Sequence, residues 1–141
     1  MLGTKRIGHG FQLQLFPTLQ EEVRKADICI EVCPLSNMVL GYTKDLRVHP
    51  MSYMLNKGIQ FSINSDDPGL FGYEGVTLDY VYAMGAWGLT LRDLKKCSLN
   101  GIIYSSVSKD KQAELLKVFE PKWKEWVDLI NATFEGPKEK A

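Results

Sequence analysis

Asp66 and Asp67 close the stretch Phe61-Ser62-Ile63-Asn64-Ser65-Asp66-Asp67-Pro68, and two adjacent carboxylates are the strongest chemical signal in the sequence. Neighbouring carboxylates repel each other unless a cation or a hydrogen-bond donor occupies the site. The residues before them alternate apolar and small polar between Gly58 and Pro68, which predicts a strand. A parallel strand in an α/β fold delivers the residues at its carboxyl end to the side where ligands gather. Asp66-Asp67-Pro68-Gly69 is also good turn chemistry, so by itself the tetrapeptide reads as a turn or as a site.

His9 is the second candidate. It stands between Gly8 and Gly10, which allow close backbone approach and unusual dihedrals. A histidine held there can act as a general base or contact a water near a metal, or simply sit in a Gly-rich turn. Ser36 and Asn37 follow Cys33-Pro34. They can cap a turn or hydrogen-bond to groups in a site. His49, before Pro50, reads as a helix cap or packing residue rather than a ligand. The three cysteines, Cys29, Cys33 and Cys97, are odd in number and sparse. They predict buried thiols rather than a disulfide framework or a zinc finger. With His9 and His49 as the two histidines, no His-rich metal cluster can form from this sequence.

The elements that must position these groups alternate. Ile7 marks a short first strand. Thr18 to Lys25 predicts a helix, capped by Thr18, with acids early and bases late. Ile28 to Val32 predicts a β-branched strand, stopped by Pro34. His49-Pro50 opens a helix that Gly58 closes, and the Asp66-Asp67 strand follows. Strand, helix, strand, helix, strand implies βαβ units and a parallel sheet. His9, Ser36-Asn37 and Asp66-Asp67 then lie just beyond strand ends on one rim.

After a Gly-rich aromatic loop, Pro68 to Gly75, that could fold over a ligand, three helices are predicted. The first is capped by Thr77 and runs to Trp87, with Leu78, Val81 and Tyr82 on its apolar face. The second begins at Thr90. The third, capped by Ser108, carries Leu115, Leu116, Phe119, Trp123, Trp126, Val127 and Ile130, and Pro121 is expected to kink or divide it. Residues 136–141 predict a charged tail. Asn131-Ala132-Thr133 matches the glycosylation acceptor pattern, which matters if the chain is secreted.

Composition narrows the function classes. The 141 residues are compatible with one domain, and the formal net charge is zero. Electrostatics therefore points to neither nucleic acid nor an acidic membrane surface. No apolar run approaches the length of a membrane span, and the residues after Met1 predict no signal peptide.

Three motifs in this order and spacing resemble the adenosine deaminase family: Thr4-Lys5-Arg6-Ile7-Gly8-His9-Gly10, Glu31-Val32-Cys33-Pro34-Leu35-Ser36-Asn37 and Ser65-Asp66-Asp67-Pro68. Asp45-Leu46-Arg47-Val48-His49-Pro50 and Phe71-Gly72 resemble its secreted, growth-factor-type branch. The resemblance implies the C-terminal portion of a TIM-type (β/α)8 barrel, with about three parallel strands and flanking helices over residues 1–135. It implies zinc-dependent hydrolysis of adenosine, or a related purine nucleoside, to inosine and ammonia. Asp66 carries over as a zinc ligand, His9 as the residue that orients or deprotonates the catalytic water, and Asp67 as a hydrogen-bond partner of the purine ring. Ser36 and Asn37 would support them.

The family's remaining zinc-holding histidines and its general-acid glutamate have no counterpart in this sequence. One credible zinc ligand is therefore expected, in an incomplete chain that is inactive alone. The alternative is a non-catalytic interaction protein that reuses this part of the barrel. For the parent protein the branch implies secretion and allows a homodimer. In the isolated piece, Ile28, Ile30, Phe61 and Ile63 are expected to lose facing partners across the barrel.

Overall fold

β-Branched and aromatic side chains make strands of Cys29–Val32 (β2) and Gln60–Ile63 (β3), and Arg6–Gly8 (β1) joins them. The computed structural model describes residues 3–134; the charged tail expected at 136–141 lies outside them. The three strands pair in parallel in the order β1-β2-β3, as the alternation implied. The chain divides into two compact units between Tyr104 and Ser105.

In the first unit the helices are α1 (Pro17–Lys25), α2 (Pro34–Val39), α3 (Pro50–Met54), α4 (Thr77–Trp87) and α5 (Leu91–Ile103). A proline opens each of the first three, where its fixed φ suits the helix and its missing N–H costs nothing. Gly58 and Gly88 adopt left-handed φ of 72° and 64° where the α3 segment and α4 stop. Thr90 and Asp93 form a reciprocal capping box at the start of α5. Two expected caps are corrected. Phe16 and Val76 occupy the cap positions of α1 and α4, so Thr18 and Thr77 lie inside their helices.

Register sorts the sheet faces. Ile7, Ile30 and Phe61 are paired across the strands and share one face, and Gly8, Glu31 and Ser62 share the other. The guanidinium of Arg6 pairs with Glu31 and donates to Ser62 Oγ at 3.5 Å. The expected loss of partners by Ile30, Phe61 and Ile63 does not occur: all three are buried within the chain, Ile30 completely, while Ile28 is half-buried. Met51, Met54, Ile59 and Cys97 complete the same core. On α4 the expected apolar face is reversed. Leu78, Val81 and Tyr82 are exposed, and Asp79 and Ala83 are buried.

The second unit is α6 (Lys109–Thr133), capped by Ser108, which accepts from the Lys111 N–H. The helix runs undivided through Pro121. Along it Phe119 stacks on Trp123 with ring centroids 5.9 Å apart, and Trp126 lies tilted against Trp123 at 5.0 Å. Asn131 sits in the last turns of this helix, exposed. Among the described residues no helix is long and apolar enough to cross a membrane.

Candidate active site

The carboxyl ends of the three strands bring His9, Cys33 and Asp66 together. One ligand atom from each lies within 4.8 Å of the others. His9 follows β1, Cys33 follows β2 as the residue before α2, and Asp66 follows β3. The main chain prepares the arrangement. The N–H of His9 donates to Glu31 O at 2.9 Å and that of Asn64 to Val32 O at 2.8 Å, extending the ladder past the strands. His9 and Asp66 then turn at left-handed φ of 56° and 59°. Asp and His are among the non-glycine residues that enter this region most readily, and Asp27, away from the cluster, does so as well.

Helix α2 supplies the supports. Its proline start places Ser36 and Asn37 inside the helix rather than in a loop, fully buried. Ser36 Oγ donates to Asp66 Oδ2 at 2.7 Å. Asn37 Nδ2 lies 3.1 Å from His9 Nδ1. The other edge of the His9 ring brings Nε2 to 3.7 Å from Asp66 Oδ2. Behind Asn37, its Oδ1 lies 2.9 Å from Nε2 of the buried His49, whose Nδ1 accepts from the Met51 N–H at 3.0 Å. His49 thus caps α3, as its place before Pro50 suggested, and also reaches the site through Asn37.

The Asp66-Asp67 tetrapeptide makes a turn that leaves the Asp66 carboxylate in the cluster. Asp67 O accepts from the Leu70 and Phe71 N–H groups and starts a turn, while the Asp66 carboxylate joins the cluster. The Asp67 residue is exposed. The aromatic loop that follows is tied back to this turn, because Tyr73 Oη donates to Ser65 O at 3.0 Å. A cleft of about 450 Å³ opens over the cluster, lined by His9, Glu31, Cys33, Asn64, Asp66 and Val76 among others.

Two contributors escaped the sequence reading. Cys33 was expected only as a buried thiol, yet its sulfur faces His9 and Asp66. Burial, with Asp66 and Asp79 nearby, pushes its pKa up to about 12. The signal was its place between a strand and Pro34-Leu35-Ser36-Asn37. Asp79 of α4 is fully buried, and its Oδ1 accepts from the Leu35 N–H at 3.0 Å, anchoring the start of α2. Burial raises its pKa. It was hidden in a helix whose apolar residues were expected to face inward.

The Cys33 sulfur and the Asp66 carboxylate oxygen, which converge beside the His9 imidazole, are donor types that zinc accepts. The donor set therefore fits the metal that the sequence implied, with more candidate donors than the single one expected.

Comparison with known proteins decides the family. The adenosine deaminase family model matches residues 1–121. The chain belongs to the adenosine deaminase family. Adenosine deaminase 2 of Dictyostelium discoideum is 42% identical over 137 residues, which are 96% of this chain and 25% of that protein. Adenosine deaminase 2 of Homo sapiens is 39% identical over 130 residues, 90% of this chain and 25% of that protein. The chain thus spans about a quarter of the length of these curated relatives.

Among solved structures, an adenine deaminase from Arthrobacter aurescens superposes with a TM-score of 0.75 at 28% identity, covering 88% of this chain and 36% of that one. An amidohydrolase from Burkholderia ambifaria with bound zinc gives 0.78 at 26% identity, over 91% and 36%. Their barrels account for the three parallel strands, which form a sector of a TIM-type barrel. The fold class and the family resemblance read from the sequence are both borne out.

Proposed function

We infer that this segment, with residues 1–135 forming the C-terminal part of a deaminase domain, provides one rim of a zinc-dependent centre. That centre hydrolyses adenosine or a related purine nucleoside to inosine and ammonia. The single observation that carries the reading is the convergence of His9, Cys33 and Asp66 at the carboxyl ends of three parallel strands. Asp66 would hold the metal, and Cys33 stands close enough to join it. Bound zinc would supply Lewis acidity, making a water nucleophilic near neutral pH.

The chain's own residues do the rest. Ser36 donates to Asp66 Oδ2 and holds the carboxylate in place. His9 presents Nε2 to the cleft beside Asp66. Asp67, next to it in the turn, hydrogen-bonds the purine ring. The Tyr73 hydroxyl fastens the aromatic loop against Ser65, which lines the cleft. The relatives named adenosine deaminase 2 are in keeping with the growth-factor-type branch; secretion and a homodimer of the whole protein are part of that branch reading.

The test uses a deaminase of full family length that contains this segment. It should convert adenosine to inosine in the presence of zinc. Asp66→Ala should lose metal and rate together, since it removes a ligand. His9→Ala should lose rate while keeping metal. Full zinc content in Asp66→Ala overturns the ligand assignment.

A further inference from the structure

His49 lies outside the cleft, and nothing in the proposed chemistry uses it directly. It is nonetheless fully buried, with Phe11 edge-on at 5.2 Å and Trp87 at 5.4 Å between ring centroids. Its two nitrogens are committed. A backbone N–H can only donate, so Nδ1, which meets the Met51 N–H at 3.0 Å, carries no proton. Burial also depresses the His49 pKa to about 4, so the ring is neutral near pH 7. Its one proton therefore sits on Nε2 and is donated to Asn37 Oδ1 at 2.9 Å.

That bond orients Asn37. With its oxygen held by His49, the amide turns its NH2 group to His9, donating to Nδ1 at 3.1 Å. His9 Nδ1 is then bare, and the proton of a neutral His9 ring sits on Nε2, the nitrogen that faces Asp66 and the cleft. We propose that His49, acting through Asn37, is a positioning residue that fixes His9 as an Nε2–H hydrogen-bond donor toward the cleft. Of the two roles open to His9 from the sequence, orienting an oxygen or deprotonating it, this arrangement selects the first. The tautomer follows from the hydrogen bonds alone; the deaminase reading enters only in naming that oxygen as the attacking water.

The test is histidine-selective nitrogen labelling of the chain, read by long-range proton–nitrogen correlation at pH about 8, where ordinary histidine is neutral. Two histidines make assignment direct. Both rings should show a bare Nδ1 and a protonated Nε2. In Asn37→Asp the new carboxylate can only accept, so His9 should move its proton to Nδ1 while His49 is unchanged. In His49→Gln the amide can still donate to Asn37, and His9 should keep its tautomer.

A wild-type His9 that is protonated on Nδ1, or averaged between tautomers, overturns the proposal. So does Asn37→Asp with Nδ1 still bare in a folded chain, folding being reported by the His49 ring. Where that variant unfolds, the wild-type spectrum decides. Correct tautomers in a full-length protein that does not deaminate adenosine would count against the deaminase reading alone.

Discussion

His9 Nε2 and Asp66 Oδ2 face each other at 3.7 Å, although His9 follows the first strand of the sheet and Asp66 the third. Both residues adopt left-handed backbone to do so. The span between them crosses the end of β2, where Cys33 completes the group. Each outer strand thus turns a side chain inward over the middle one. The two bonds from α2, Ser36 to Asp66 and Asn37 to His9, hold that turn in place.

Ser36→Ala should weaken the site without touching a donor atom. It removes the hydroxyl that donates to Asp66 Oδ2. Losses of this kind cost about 10–100-fold in metal affinity or activity. Zinc titration against a chromophoric chelator in the full-length enzyme measures it, and unchanged affinity together with unchanged rate would refute the role given to Ser36.

Gly10→Ala should destabilise the chain. Gly10 has φ of 56°, and a Cβ there would meet Ile30 Cγ2 at 2.9 Å, inside the core. Overpacking of this sort costs roughly 1–3 kcal/mol. The denaturant midpoint should fall, and a midpoint equal to wild type would show that Ile30 yields freely.

Acid should destabilise the fold through His49. Its folded pKa is depressed to about 4, so between that value and the unfolded value of about 6.5 the unfolded chain binds more protons. The stabilising contribution is present above pH about 6.5 and is lost as the pH falls through 4, amounting to about 3 kcal/mol. His49→Gln should flatten this part of the stability curve. A curve of wild-type steepness in that variant would assign the acid sensitivity to other groups.

Asp79→Asn should stabilise the chain at pH 7. Asp79 Oδ1 accepts from the Leu35 N–H, which an amide oxygen can also do, while Oδ2 is buried without a partner. The Tyr73 hydroxyl, whose hydrogen bond goes to Ser65 O at 3.0 Å, lies near enough to Asp79 to offset only part of the cost of burying its charge. The raised pKa of Asp79 means that folding disfavours its charge, and the amide removes that charge. Chemical denaturation should show a higher midpoint at pH 7 and a vanishing gain in strong acid, where the aspartate is protonated. A lower midpoint at pH 7 would mean that the charge itself supports the start of α2.

Much of the local structure was legible because its causes are local. Alternating residues before Asp66, Gly58 at a helix end, and Thr90 and Ser108 at helix starts each act within a few residues of chain. Competition between neighbours was less legible. Pro17 took the first helical position of α1, leaving Phe16 as its cap in place of Thr18. The buried side of α4 was also misjudged. Leu78, Val81 and Tyr82 have the right spacing for a core face, yet burial depends on which elements lie alongside, and Asp79 is the residue turned inward.

The sequence by itself determined the family, the parallel strand order and the identities of His9, Ser36, Asn37, Asp66 and Asp67 as candidates, because motif spacing and side-chain periodicity are properties of the chain alone. Tertiary structure alone decided that Cys33 faces His9 and Asp66, that Asp79 anchors α2, and that His49 reaches His9 through Asn37. Hydrogen bonds are directional and short-ranged. Which partners meet, and which atom of each donates, follows only when strands distant in sequence are set side by side.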